Sequence, residues 1–168
     1  MTDGEEKGMS AESGAVGASR WRGRLWRYGP LVAWMAVIFV ASTGTLSASN
    51  TSRIIRPLLL WLNPDISEAA LLSVHFAVRK AAHFTEYAVL ALLAARAFLT
   101  SSKPRLKKLW HVAALALVVS YAFLDEYHQS FVPTRTGSPY DSLIDSSGGA
   151  FALIMVALWR ARRRRKLG

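Results

Sequence analysis

The chain has 168 residues, 52% of them hydrophobic, with a net charge of +10 and a positive mean hydropathy. That length fits one domain, and the apolar residues come in long blocks, which favours membrane spans over a soluble core. Basic residues gather beside those blocks, as the positive-inside rule produces, so nucleic acid is excluded as the partner. With no cysteine, disulfides and thiolate chemistry are excluded as well.

Residues 1–19 are rich in Gly, Ser, Ala and Glu and too poor in apolar bulk to fold alone, so a disordered polar tail is expected. Arg20, Arg22, Arg24 and Arg27 then interleave with Trp21, Trp26 and Tyr28, the basic and aromatic belt of a membrane boundary. A first span follows over about 29–46. A cleaved signal peptide would also fit the small residues Ser47, Ala48 and Ser49, but the long tail before the basic residues favours a retained anchor.

Asn50 to Asp65 forms an external connection, in which Ile54–Leu62, with Arg53, Arg56 and Trp61, is amphipathic and lies along the interface. Ser67 caps a new helix that has Glu68 in its first turn. This helix runs to Leu99, longer than one span needs at about 1.5 Å per residue, and its span proper is about 81–99. Lys103, Arg105, Lys107 and Lys108 make the next connection a basic, cytoplasmic turn. A third span covers about 109–124 and a fourth about 143–159, before a tail of Arg160, Arg162 to Arg165 and Lys166. The predicted fold is therefore all-α, a polytopic four-span helical bundle over 20–168 with both termini cytoplasmic. That orientation satisfies every charge asymmetry, because the loop after Leu124 carries Asp125, Glu126, Asp141 and Asp145 against Arg135 alone.

Two polar clusters interrupt the apolar blocks, and ionisable groups at such positions mark function by default. The first is Arg79, Lys80, His83 and Glu86; the second is Asp125, Glu126, His128, Gln129 and Arg135, with Asp141 and Asp145 behind it. In the predicted topology both meet at one extracytoplasmic boundary. Arg79, His83 and Glu86 fall at i, i+4 and i+7 and share a helix face, as do Asp125 with Gln129 and Asp141 with Asp145. Tyr87 follows His83 by four and joins the same side. Pro133 and Gly137 turn the chain between the third and fourth spans. An acid in a first helical turn is favoured by the helix dipole, which is the structural alternative for Asp141.

Arg79-Lys80, His83-Phe84 and Glu86-Tyr87 together resemble the first signature of the VanZ-like membrane proteins. Asp125-Glu126, His128-Gln129, Phe131, Pro133 and Arg135, followed by Asp141 and the segment Asp145 to Gly148, resemble the second. The likeness covers roughly 74–149, and its signatures are long and mixed in residue type. It implies a multi-pass protein of the bacterial cytoplasmic membrane. The family's founding member is associated with resistance to teicoplanin, so a role at the cell envelope is the expectation.

Three functional readings follow. In the first, Arg79, Lys80 and Arg135 hold the anionic head group of an envelope amphiphile or a lipoglycopeptide-type antibiotic, since arginine pairs bidentately with oxyanions. His83, Glu86, Gln129, Asp141 and Asp145 line the same site. In the second, the protein is an acid/base enzyme acting on a lipid-linked substrate, with Glu126 or Asp125 as base and His128 or His83 as acid or base. In the third, pairs such as Arg135–Asp125 or Arg79–Glu86 simply lock the bundle. A metal held by His83, Glu86, His128 and an aspartate has suitable ligand types. It lacks a zinc-motif spacing and has Arg79 and Lys80 beside it, so no metal or cofactor is expected. His75 and His111 lie off the site, Arg96 snorkels at the inner end of its span, and the tryptophans are belt or packing residues.

Overall fold

The computed structural model describes the backbone of residues 3–43, 48–132 and 139–167. These form α1 (Asp3–Ser42), α2 (Ala48–Leu62), α3 (Glu68–Leu99), α4 (Pro104–Lys108), α5 (Trp110–Gln129) and α6 (Pro139–Leu167), with no strand among the described residues. The helical backbone of α1 reaches back through 3–19, where composition favours a tail. Ala and Glu in that stretch are good helix formers, so local propensity suits those turns.

The start of α3 is set locally. Ser67 adopts an extended backbone and its side chain accepts the Ala70 amide at 3.2 Å, with Glu68 in the first turn. From there α3 runs without interruption to Leu99 and forms the middle of the molecule, packing chiefly on α6 and also on α5 and α1.

The packing faces are narrow and built from small residues. On α3 the buried stripe reads His83, Tyr87, Leu90, Ala91, Ala94, Ala95 and Ala97. On α5 it reads Ala114, Val118, Ala122, Asp125, Glu126 and Gln129, which is helical spacing throughout. Small side chains let backbones approach closely, the usual means of helix association where lipid removes the hydrophobic drive. One close approach is at Gly148 and Gly149 of α6. A Cβ at 148 would run into the Phe84 backbone carbonyl of α3, and one at 149 would strike the Val118 side chain of α5.

α1 is tied to this core at several heights. Its Trp34 indole donates to the Glu86 carbonyl at 2.9 Å, and its Met35 carbonyl accepts the Tyr121 hydroxyl at 2.6 Å. At one end Tyr28 meets Ser101 and the Arg96 guanidinium reaches the Trp26 carbonyl. Arg96 also lies over the Trp26 ring at 5.6 Å, an arrangement suited to snorkelling.

Large apolar side chains point outward, among them Val37, Leu92, Val112, Phe123, Phe151, Ile154 and Leu158. The interior, by contrast, holds His83, Asp125, Glu126, Gln129, Asp141 and Asp145. This inversion of the soluble pattern is what a hydrocarbon solvent demands. Among the described residues, three helices are long and apolar enough to cross a membrane: Trp21–Ser42 within α1, Glu68–Leu99, and Tyr140–Lys166 within α6. α5 is not among them; its 20 residues end in Asp125, Glu126, His128 and Gln129, which dilute its apolar character.

The connections are more helical than expected. The amphipathic piece begins at Ala48 rather than Ile54, and the basic turn contains the single-turn α4. α2 is joined to the start of α3 by the exposed Arg56–Glu68 pair.

Candidate functional site

The inner stripes of α3, α5 and α6 change character together at one end of the bundle. What is alanine or glycine in the middle becomes His83, Asp125, Gln129, Asp141, Ser142 and Asp145. The C-terminal turn of α1 arrives at the same place, where Ser42 lies 3.5 Å from the Gln129 amide nitrogen. Four helices therefore close around one polar cluster.

The deepest group is Asp145, fully buried on α6. Its Oδ1 faces His83 Nδ1 of α3 at 3.3 Å, yet neither atom completes a hydrogen bond. Asp125 of α5 joins them, and side-chain ligand atoms of the three residues all lie within 4.8 Å of one another. Gln129, one turn beyond Asp125, donates its amide to Asp125 Oδ2 at 2.9 Å. Its Oε1, the Tyr87 hydroxyl and both Asp145 oxygens are buried without a hydrogen bond. The Ser142 hydroxyl sits 3.5 Å from the Ala122 carbonyl. Buried polar atoms are almost always paired, so this concentration of unspent capacity needs a reason.

A second arrangement lies one turn nearer the N-terminal end of α6. Asp141, in the first turn of α6, pairs with both Lys80 and Arg79 of α3, the latter at 3.4 Å. The Lys80 ammonium also stands 5.0 Å over the Phe76 ring. Arg79 keeps 30% of its side-chain surface exposed and Lys80 16%. Two cations share one carboxylate, and the Arg79 Nε is buried with no acceptor.

The remaining expected residues are spread more widely. Glu126 is buried beside Asp125, about 100° further round α5. The half-buried ring of His128 packs 4.7 Å from Phe39 of α1. Glu86 is half-buried and its carbonyl serves Trp34. Arg135, Pro133 and Gly137 lie outside the described residues. Arg79 goes to Asp141, a partner that the helical spacing of Arg79 and Glu86 did not predict.

Ser42 and Ser142 enter the site without having been anticipated. Ser142 had a signal available, since it lies between Asp141 and Asp145; for Ser42 nothing in the sequence marks the polar turn of α1 as facing this cluster. The set that converges, His83 with Asp125 and Asp145, differs from the metal set weighed in the sequence. The neighbouring cations Arg79 and Lys80 turn to Asp141, not to this set.

A sequence model of the VanZ/LLP1 family matches residues 28–160, which takes in α3 and α5 whole and the parts of α1 and α6 that carry site residues. No match was found among curated proteins or among solved structures.

Proposed function

The chain belongs to the VanZ/LLP1 family of membrane proteins, and we propose that it is a four-span protein whose polar end binds the anionic head group of an envelope amphiphile. On this reading α5 is the fourth crossing helix, and its polar end is tolerated because it is enclosed by α1, α3 and α6. Both termini face the cytoplasm of a bacterial cell, and the site opens to the extracytoplasmic side. The basic flanks Arg22 to Arg27, Lys103 to Lys108 and Arg160 to Lys166 support that orientation.

The observation that carries the reading is the Arg79–Lys80–Asp141 group. Two cations with one carboxylate between them leave a net positive charge and spare donors on partly exposed side chains. A phosphate or carboxylate oxygen can take those donors beside Asp141 or displace it, with arginine offering its fork. Arg135 is assigned to the same head group, and the outward apolar faces accept the lipid tail. A lipoglycopeptide-type antibiotic presents the same combination of anion and tail.

The test is native mass spectrometry of protein extracted with its own lipids. Wild type is expected to retain an anionic lipid-linked species, and Arg79→Gln to lose it. Retention unchanged in Arg79→Gln and Lys80→Gln alike would contradict the reading.

One observation favours a second reading, acid/base catalysis on a lipid-linked substrate. Asp145 faces His83 at 3.3 Å in a buried setting, the arrangement by which a carboxylate orients an imidazole for proton transfer. The two readings separate in one variant. His83→Gln should accumulate bound, unprocessed ligand if His83 moves a proton, whereas simple recognition leaves occupancy and bound species as in wild type.

A further inference from the structure

We propose that His83, Asp125 and Asp145 bind a divalent metal ion. Each comes from a different helix, and their ligand atoms lie within 4.8 Å of one another. Donors around one first-row ion, each about 2.1 Å from it, sit roughly 3–4 Å apart. A small side-chain closure therefore brings the three onto a common centre.

Charge points the same way. Asp141 is matched by Arg79 and Lys80, but among the described residues no lysine or arginine pairs with Asp125 or Asp145. Two buried carboxylates with one imidazole form an excess of negative charge away from water, and such groups pair or coordinate metals. The neighbouring polar atoms are a separate indication. Gln129 and Tyr87 are fully buried, and Gln129 Oε1 and the Tyr87 hydroxyl have no hydrogen-bond partner. The Gln129 amide meanwhile holds Asp125 through Oδ2. An outer group that orients a ligating carboxylate, with further oxygens close by, is the usual surrounding of a metal site.

The donor set selects the ion. One imidazole with two carboxylates suits Zn²⁺ or Mn²⁺, whereas Ca²⁺ takes six to eight oxygens. The site lies one helical turn from the Arg79–Lys80–Asp141 group of the head-group reading above but does not depend on that reading, since an ion can bind where no amphiphile does. With Arg79 and Lys80 one turn away, a bound ion would add a third positive centre for a phosphate ester.

The experiment uses the full chain in detergent, its affinity tag removed and its metal stripped by a chelator. Zn²⁺ and Mn²⁺ are then titrated by calorimetry, with metal content checked by elemental mass spectrometry. One equivalent per chain is expected, with affinity at least about tenfold weaker in Asp145→Asn and in His83→Gln and unchanged in Glu68→Gln. Melting curves establish that each variant is folded, and Asp125→Asn serves if either of the others is not. No stoichiometric binding by folded wild type overturns the proposal. So does equal binding by wild type and the ligand variants, the signature of adventitious metal. A chain that binds no ion yet loses its anionic lipid in Arg79→Gln removes the metal alone and leaves the head-group reading standing.

Discussion

Asp125 and Asp145 are the residues hardest to explain as scaffolding. If both are ionised, their repulsion at this separation is about 3–4 kcal/mol at an effective dielectric near 20, and although the Gln129 amide bonds Asp125, both Asp145 oxygens are left without a hydrogen bond. A carboxylate with a cationic partner behaves differently, as Asp141 with Lys80 shows. Both of those side chains are nearly buried, and removing one partner from such a pair strands the other. Lys80→Gln should lower stability by roughly 1–3 kcal/mol, less than a fully enclosed pair because Arg79 stays beside Asp141. The double variant Lys80→Gln/Asp141→Asn should recover part of that loss in a melting experiment, and strict additivity would mean that the pair contributes nothing. Glu126→Gln keeps shape and hydrogen-bonding capacity while removing charge. It should accumulate and melt like wild type yet lose any envelope phenotype; a Glu126→Gln protein with full phenotype excludes Glu126 from function. The Asp125–Gln129 contact was legible in the sequence, because i, i+4 spacing on a helix fixes it. Which acid meets His83 was not legible, since that depends on how α6 crosses α3.

Among the helices, α3 was the most readable. Its cap, its first-turn acid and its end at Leu99 all follow from local chemistry. The start of α2 at Ala48 and the presence of α4 were not readable, because the polar run Ser49 to Ser52 precedes the amphipathic pattern of α2 and α4 is a single turn. The crossing of α3, α5 and α6 at Gly148 and Gly149 is a tertiary property; Gly148 closes a signature segment, but nothing in the sequence says what either glycine packs against. Gly148→Ala must displace the Phe84 backbone, so it should destabilise more than Gly149→Ala, where the Val118 side chain can rotate away. Thermal melting of the two variants checks this order, and the reverse order would put the tight crossing elsewhere. Paired cysteines at His83 and Gln129 should also cross-link in membranes, as α3 and α5 bring both to the same cluster.

For the molecule as a whole, the inverted distribution of polarity decides between solvents: apolar side chains outside, ionisable ones in the middle of one end. Composition alone indicated this, since blocks of apolar sequence with charged flanks leave few alternatives. The proposed orientation rests on the same charges and predicts a labelling pattern. Cysteine in place of Ser138 should react with an impermeant thiol reagent added to intact cells, and cysteine in place of Ser102 should not. The opposite pattern would invert the protein and place the site in the cytoplasm.

A site poised for a ligand holds its polar groups at some expense of stability, and a lock does not. The melting temperature of metal-stripped Asp145→Asn against metal-stripped wild type therefore measures the difference directly. The variant neutralises the carboxylate whose oxygens have no hydrogen bond, crowded against Asp125, without changing its size. It is predicted to melt at the same temperature as wild type or several degrees higher. A fall corresponding to about 3–5 kcal/mol, the loss expected when a buried ion pair is broken, would show instead that Asp145 and His83 hold the bundle together.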